Sequence, residues 1–427
     1  MIEDLPNVPP ALIMLASELP NCATLKAMRD RIKGMLRDLR DQSEVFEIEN
    51  VNRSVDSKSV GRFEVHLHGP MDLLSGAGCS ETACRFAAAD RVARSVGLIA
   101  DRVWLTDLLT EKFVDFGRPT NAKLDDVLVD VLVLARLMPL IRAGVVKFRS
   151  PWVMTCQSCK SQFEHHVDVI TRDLFEKFRS EFRIERTEER GYAAYMGNCT
   201  DPTMVFRSGP GVKRLPSVHR IAEPWIHREI RSTMWTAREA AMTGGAILSN
   251  SRVGLAGLIK MDGRAADMNS LLLLERERSL TVPWVNELDA SQIVELRSEA
   301  SRALPLLREK LCRVLTVSDA ALVSSTPSSG LMEDLREQAV EVRSELEEKR
   351  KSASRFWKGT YGILGLGLSA YGVMADQMLP GVGGLLPVIQ LLINHKAGHE
   401  SDVAKLTSKP GYVLVKAQEI LSHADER

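Results

Sequence analysis

The 427-residue chain carries 56 Lys plus Arg against 56 Asp plus Glu, with 44% apolar and only 5% aromatic residues. That length builds two or three domains with their own cores, and the zero net charge excludes a global field that would recruit nucleic acid or anionic lipid. Seven scattered cysteines do not make a secreted disulfide framework, and the acidic first residues, Met1 to Pro6, lack the basic and apolar regions of a signal peptide. A cytoplasmic, reducing setting is expected.

Asn21 is placed to cap a helix in which Leu25, Met28, Ile32, Met35 and Leu39 share one face. Its outer face is basic and reads as solvated. Residues 44–69 read as two short strands around a polar turn. Phe63, Val65 and Leu67 alternate there with Glu64, His66 and His68, which puts both histidines on a solvent-facing side. A helix over 81–95, a strand at 102–105 capped by Thr106 and Asp107, an apolar helix over 124–143, a strand at 145–148 and a long amphipathic helix from Phe163 follow.

Residues 200–232, interrupted by prolines, read as a linker or an irregular surface segment. Asp289 with Gln292 forms a capping-box signature for a helix running to about Leu315, kinked at Pro305. Val323 to Gly330 reads as a second linker. Residues 331–348 hold seven acids and two bases, and 349–358 hold five bases and no acid. This gradient suits one long helix, because the helix dipole favours acids at its start and bases at its end.

The expected fold is mainly α, α+β with a few short strands: a helical N-terminal body, a C-terminal long helix and a glycine-rich helical hairpin. The expected domains are an α+β unit over 1–200, a helical unit over 201–325, and the long helix with its hairpin over 326–427.

Cys156 and Cys159 have the C-x2-C spacing of a metal knuckle, and Cys79 and Cys84 form a wider C-x4-C pair. Together they supply the four soft ligands of a structural zinc, with His165 or His166 as a substitute. Unligated thiols and a redox pair are the competing readings of these residues. His395 and His399 have helical ligand spacing without a metalloprotease motif and read as surface.

The run Gly76-Ala77-Gly78-Cys79-Ser80 precedes a helix start, where backbone amides favour phosphate. It resembles the nucleotide-binding GAG-x-S of sirtuin-like NAD-consuming enzymes, and His66-Leu67-His68-Gly69 looks like that family's catalytic HG. The resemblance covers about fifteen residues and implies NAD as the ligand. In sirtuins the glycine motif precedes the histidine, whereas here the order is reversed and the QNxD motif is missing. The strand-helix alternation of a Rossmann fold is not expected from the sequence.

Residues 359–393 hold one charge, Asp376, with eight glycines and two prolines. The uncharged runs on either side of it, Gly359–Ala375 and Gln377–Asn394, are 17 and 18 residues long, near the lower limit of about 17 for a bilayer span. Five basic residues with Phe356 and Trp357 stand just before them, as at a membrane interface. A hairpin buried in a core or an oligomer interface would give a similar pattern. The pattern, with Lys409-Pro410-Gly411-Tyr412 after it, resembles bacterial proteins ending in such a hairpin. The leading expectation is a non-enzymatic protein whose hairpin engages a membrane or a protein partner, with a homo-oligomer and a defence-type effector as extensions. The alternatives are an NAD-consuming enzyme using the glycine loop and a zinc-stabilised interaction module.

Overall fold

The computed structural model describes residues 5–53, 62–74, 81–150, 156–187, 191–196, 204–206, 214–243, 245–249, 251–261, 271–273, 285–315, 334, 337–348 and 403–425. The molecule is mainly helical with a few short strands. The described residues of Met1–Leu280 and Cys312–Pro327 cluster as one compact unit, and those of Thr281–Leu311 and Ser328–Arg427 as the other.

The first unit is organised by five parallel strands: β1 (Glu64–His68), β2 (Arg102–Thr106), β3 (Val146–Arg149), β7 (Ala246–Ser249) and β8 (Leu271–Leu273). Their order is β3-β2-β1-β7-β8. The chain therefore builds outward in one direction from β1 to β3, then returns to add β7 and β8 on the other side of β1. Helices occupy the connections: α3 (Thr82–Arg94) and α4 (Val96–Ile99) before β2, then α5 (Leu108–Val114), α6 (Asn121–Ala135) and α7 (Met138–Arg142) before β3. A three-stranded antiparallel sheet, β4 (Phe182–Arg186), β5 (Tyr192–Met196) and β6 (Met204–Phe206), interrupts the pattern. It lies in sequence between α8 (Gln157–Phe178) and α9 (Val218–Thr243), and α10 (Arg252–Met261) joins β7 to β8. Strand-helix alternation is thus present, against the expectation from sequence, because strands of three to five residues give a periodicity too short to register.

Three local expectations are corrected. The expected strand at 44–53 is the end of helix α2 (Leu25–Arg53), whose stripe continues through buried Ile32, Leu39, Ser43 and Phe46 at helical spacing. Its cap is Thr24, whose hydroxyl accepts the Ala27 amide, while Asn21 instead donates to the Ser17 carbonyl. The expected linker from 218 onward is α9. Ala222, Ile226, Ile230 and Met234 bury one stripe there, which outweighs the cost of about 3 kcal/mol for the interior Pro224.

Prolines act as helix starts elsewhere. Pro139 splits the expected 124–143 helix by opening α7, and Gly144 ends that segment at φ +72°. In the second unit the capping box at Asp289 and Gln292 opens α11 (Ala290–Glu299), with both reciprocal bonds formed. Pro305 does not kink that helix; the chain turns at 300–303 and a new helix, α12 (Leu304–Leu315), begins there.

The second unit buries Ile293, Leu296 and Leu307 together with Ala339 and Val342 of the 337–348 helix and Val413, Leu414 and Ala417 of the C-terminal helix, Gly411–Asp425. A Cβ at Gly411 would lie 2.6 Å from the Gln338 backbone, so only glycine fits where those two helices meet. The apolar segment 359–393, the 323–330 linker, His395 and His399 lie outside the described residues. Among the described residues no helix is long and apolar enough to cross a membrane.

Candidate functional site

In parallel strands, registered neighbours point to the same face. Val65 is registered with Val103 and Ala246, and Val103 with Val146, which makes one face apolar. The other carries His66 beside Trp104 and Ile247, Lys147 beside Trp104, His68 beside Ser249, and Thr106 beside Arg149. Both histidines, expected to face solvent, are buried: His66 is 1% exposed and His68 2%. The reason is α9, which packs on this face and meets both rings, with residues 177 positions after His66 and 164 after His68.

Hydrogen bonds fix the state of His68. Thr233 Oγ1 donates to the Glu229 carbonyl at 2.6 Å, so only its lone pairs are left to face His68 Nε2 at 3.2 Å. Nε2 therefore carries the proton, shared with Ser232 Oγ at 3.0 Å, and Nδ1 accepts from Ser249 Oγ at 2.8 Å. Ser249 in turn accepts the Ser251 amide at 2.9 Å. Burial, helped by the Arg149 charge, lowers His68 to about 3, so the ring is neutral. His66 is lowered by the same two causes. Its Nε2 pairs with Thr243 Oγ1 at 2.8 Å and its ring stacks beside Trp104 at 5.8 Å.

Arg149, at the end of β3, is the charge at the centre. Its guanidinium donates to the carbonyls of Leu67 (2.8 Å) and Trp104 (3.1 Å), to His66 Nδ1 (3.3 Å) and to Asp72 (3.1 Å). Asp72 also accepts the Thr106 amide at 3.0 Å and its hydroxyl at 2.5 Å. Burial raises Asp72 and lowers Arg149, while their mutual attraction opposes both shifts. Glu229 and Glu239 of α9 are also pushed up by burial. Gly254 lets α10 approach this layer, since a Cβ there would lie 1.9 Å from Thr233 Oγ1.

These groups gather at the C-terminal ends of β1, β2, β3 and β7. The strand order reverses about β1, and the carboxyl-end side of such a switch point is where open parallel sheets bind ligands. His68 is followed by Gly69 at φ +67°, and in sequence the glycine run lies between this point and α3. Ser75 to Ser80, which include Gly76, Ala77, Gly78 and Cys79, lie outside the described residues. Asp107, at the end of β2, stands where a ribose-binding acid would stand in a dinucleotide fold. Its carboxylate is instead spent on capping α5, accepting the Thr110 amide at 3.0 Å and hydroxyl at 2.6 Å, and burial raises it to about 6.

The cysteines fall elsewhere. Cys84 is exposed on α3; Cys156 caps α8 and Cys159 sits in its first turn, both exposed. The Cys159 amide and thiol hold Cys156 below its usual range, and Cys156 pushes Cys159 up. His165 and His166 lie side by side on α8, both exposed, with ring centroids 6.3 Å apart. Among the described residues no three His, Cys, Asp or Glu side chains gather to hold a metal, and Cys79, the fourth expected ligand, lies outside the described residues.

Sequence reading missed Arg149, Asp72, Ser249, Ser232 and Thr233. The available signal was Lys147 and Arg149 alternating with Val146 and Phe148 in a strand, two cations on a face that must be buried or functional. No protein-family model, curated protein or solved structure matches the chain.

Proposed function

We propose that the first unit is a nucleotide-binding domain that seats a dinucleotide of the NAD class beyond the C-terminal ends of β1 and β7. The observation that carries this reading is the reversal of strand order about β1 in an all-parallel sheet. The glycine run that lies in sequence between β1 and α3 supports it, because that connection is where a dinucleotide fold brings backbone amides to the pyrophosphate. Titration calorimetry of the whole protein with NAD is expected to give saturable binding. NAD at about a hundredfold its Kd should stabilise the fold by about 2.7 kcal/mol. Gly78→Val, which places a branched side chain where backbone must approach phosphate, should abolish both effects. Folded protein that binds neither NAD nor ADP would overturn the proposal.

A second reading concerns residues 359–394, whose uncharged runs of 17 and 18 residues support engagement of a membrane or a protein partner. Liposome flotation that is lost in Leu366→Asp is the expected result. A whole protein that neither floats nor self-associates removes this reading without touching the first.

A further inference from the structure

Cys156 and Cys159 stand outside the polar face and take no part in the core: the first buried residue of α8 is Val167. Cys156 is the N-cap of this 22-residue helix, in extended backbone (φ −70°, ψ 156°), and its sulfur accepts the Cys159 amide at 3.4 Å. An N-cap and the third residue of the first turn share one face of the helix, with Cβ atoms about 5–6 Å apart. Both lie within reach of the Cα separation of about 4.4–6.8 Å that a disulfide spans, so a bond needs side-chain rotation rather than refolding. Both thiols are exposed, hence open to a small reactant. The surface beside them is built by both helices. Phe163, one turn beyond Cys159, packs edge-on against Trp235 of α9 at 5.2 Å, and the Arg238 guanidinium lies 5.5 Å from the same indole.

We propose that Cys156 and Cys159 are a redox-active dithiol that exchanges with low-molecular-weight disulfides. The Cys156 thiolate, whose sulfur receives the helix amide, attacks one sulfur of the small disulfide. A mixed disulfide forms, and the first thiolate leaves and takes up a proton. Cys159, having lost its own proton to solvent, then attacks Cys156 Sγ, closes the intramolecular disulfide and expels the second thiol. The balance is one small disulfide and two protein thiols giving two small thiols and one protein disulfide. Cys156 is assigned as the attacking sulfur because amide bonds at a helix start favour its thiolate.

The test uses the whole protein, reduced and then equilibrated with mixtures of reduced and oxidised glutathione, with free thiols trapped by alkylation and read by mass spectrometry. The expected product is one intramolecular disulfide between Cys156 and Cys159, formed and reversed by the glutathione ratio. Cys159→Ser should accumulate the glutathione adduct on Cys156 about tenfold over that on Cys22, and Cys156→Ser should not accumulate it on Cys159. Three results would overturn the proposal. One is no Cys156–Cys159 disulfide even in oxidised glutathione alone. Another is equal adducts on all cysteines in both variants. The third is zinc bound to these thiols at one ion per chain and released when they are blocked.

Discussion

Val65, Leu67, Val103, Leu105, Val146 and Phe148 line one face of the parallel sheet, and His66, His68, Trp104, Thr106, Lys147 and Arg149 line the other. Most of these residues are buried on both faces, so burial does not distinguish the two; the conditions for stability do. The apolar face needs only volume to be filled, at about 25 cal/mol for each Å² removed from water. The polar face needs every donor and acceptor to find a partner, since an unpaired one costs about 1–3 kcal/mol. Among the described residues the buried side-chain atoms lacking a partner are Ser43 Oγ and Thr171 Oγ1, and neither belongs to this face. A layer satisfied to that degree holds its geometry closely, which is what a ligand-binding edge requires.

This contrast can be broken from the polar side first. Arg149→Ala strands the Asp72 carboxylate and removes donors from two strand carbonyls. Urea denaturation should show a loss of about 3–5 kcal/mol. Adding Asp72→Asn should recover part of it, giving a coupling energy in the double-mutant cycle. If Arg149→Ala costs less than about 1 kcal/mol, the polar layer is not the unit described above.

The matching cut on the apolar face is Leu105→Ala. Leu105 is fully buried, so the expected cost is about 3 kcal/mol. No partner residue should rescue it, because what is lost is packing volume rather than a paired charge. A second-site rescue by any polar substitution would contradict the division of the faces.

The smallest expected effect is on pH. His68 is lowered from its ordinary 6.5 to about 3, so between pH 6.5 and 5 the unfolded chain takes up a proton that the folded chain refuses. Stability therefore falls with acid over that window, by about 2 kcal/mol for this group. Asp107 has the opposite sign. Raised to about 6, it keeps a proton when folded that it loses when unfolded, so over about pH 3.8–6 its contribution grows with acid. Replacing His68 with Gln should reduce the acid loss above pH 6 without abolishing it, because His66 is lowered by the same causes and keeps its own share, while Asp107 contributes little there. An unchanged slope there would show that the ring is not the titrating group.

The two faces were also unequally legible in the sequence. Amphipathic stripes such as those of α8 and the first half of α2 were readable because they recur over many turns, whereas the end of α2 reads as a strand. The apolar residues of β1 were readable too. Its histidines were misassigned because strict alternation in a strand signals a solvent-facing side, and only α9 turns that side into an interior. No local pattern at 64–68 announces Ser232, Thr233 or Thr243. The cysteine pair was legible as a pair, by spacing alone, whereas its place at a helix start, exposed and away from the core, belongs to the fold.

The pairing of β1 with β7 also has a consequence in time. Val65 registers with Ala246, about 180 residues further along the chain. At about 5–20 residues per second, ribosomal synthesis leaves that edge of β1 waiting about 10–35 s for its partner strand. For that interval His68 has neither Ser249 nor the α9 hydroxyls, and one side of the central strand is an open edge able to pair with other chains. The nascent protein thus passes through a period of exposure set by its topology, during which chaperone binding or slowed translation before residue 249 would change the yield of folded molecules without altering any contact in the finished one.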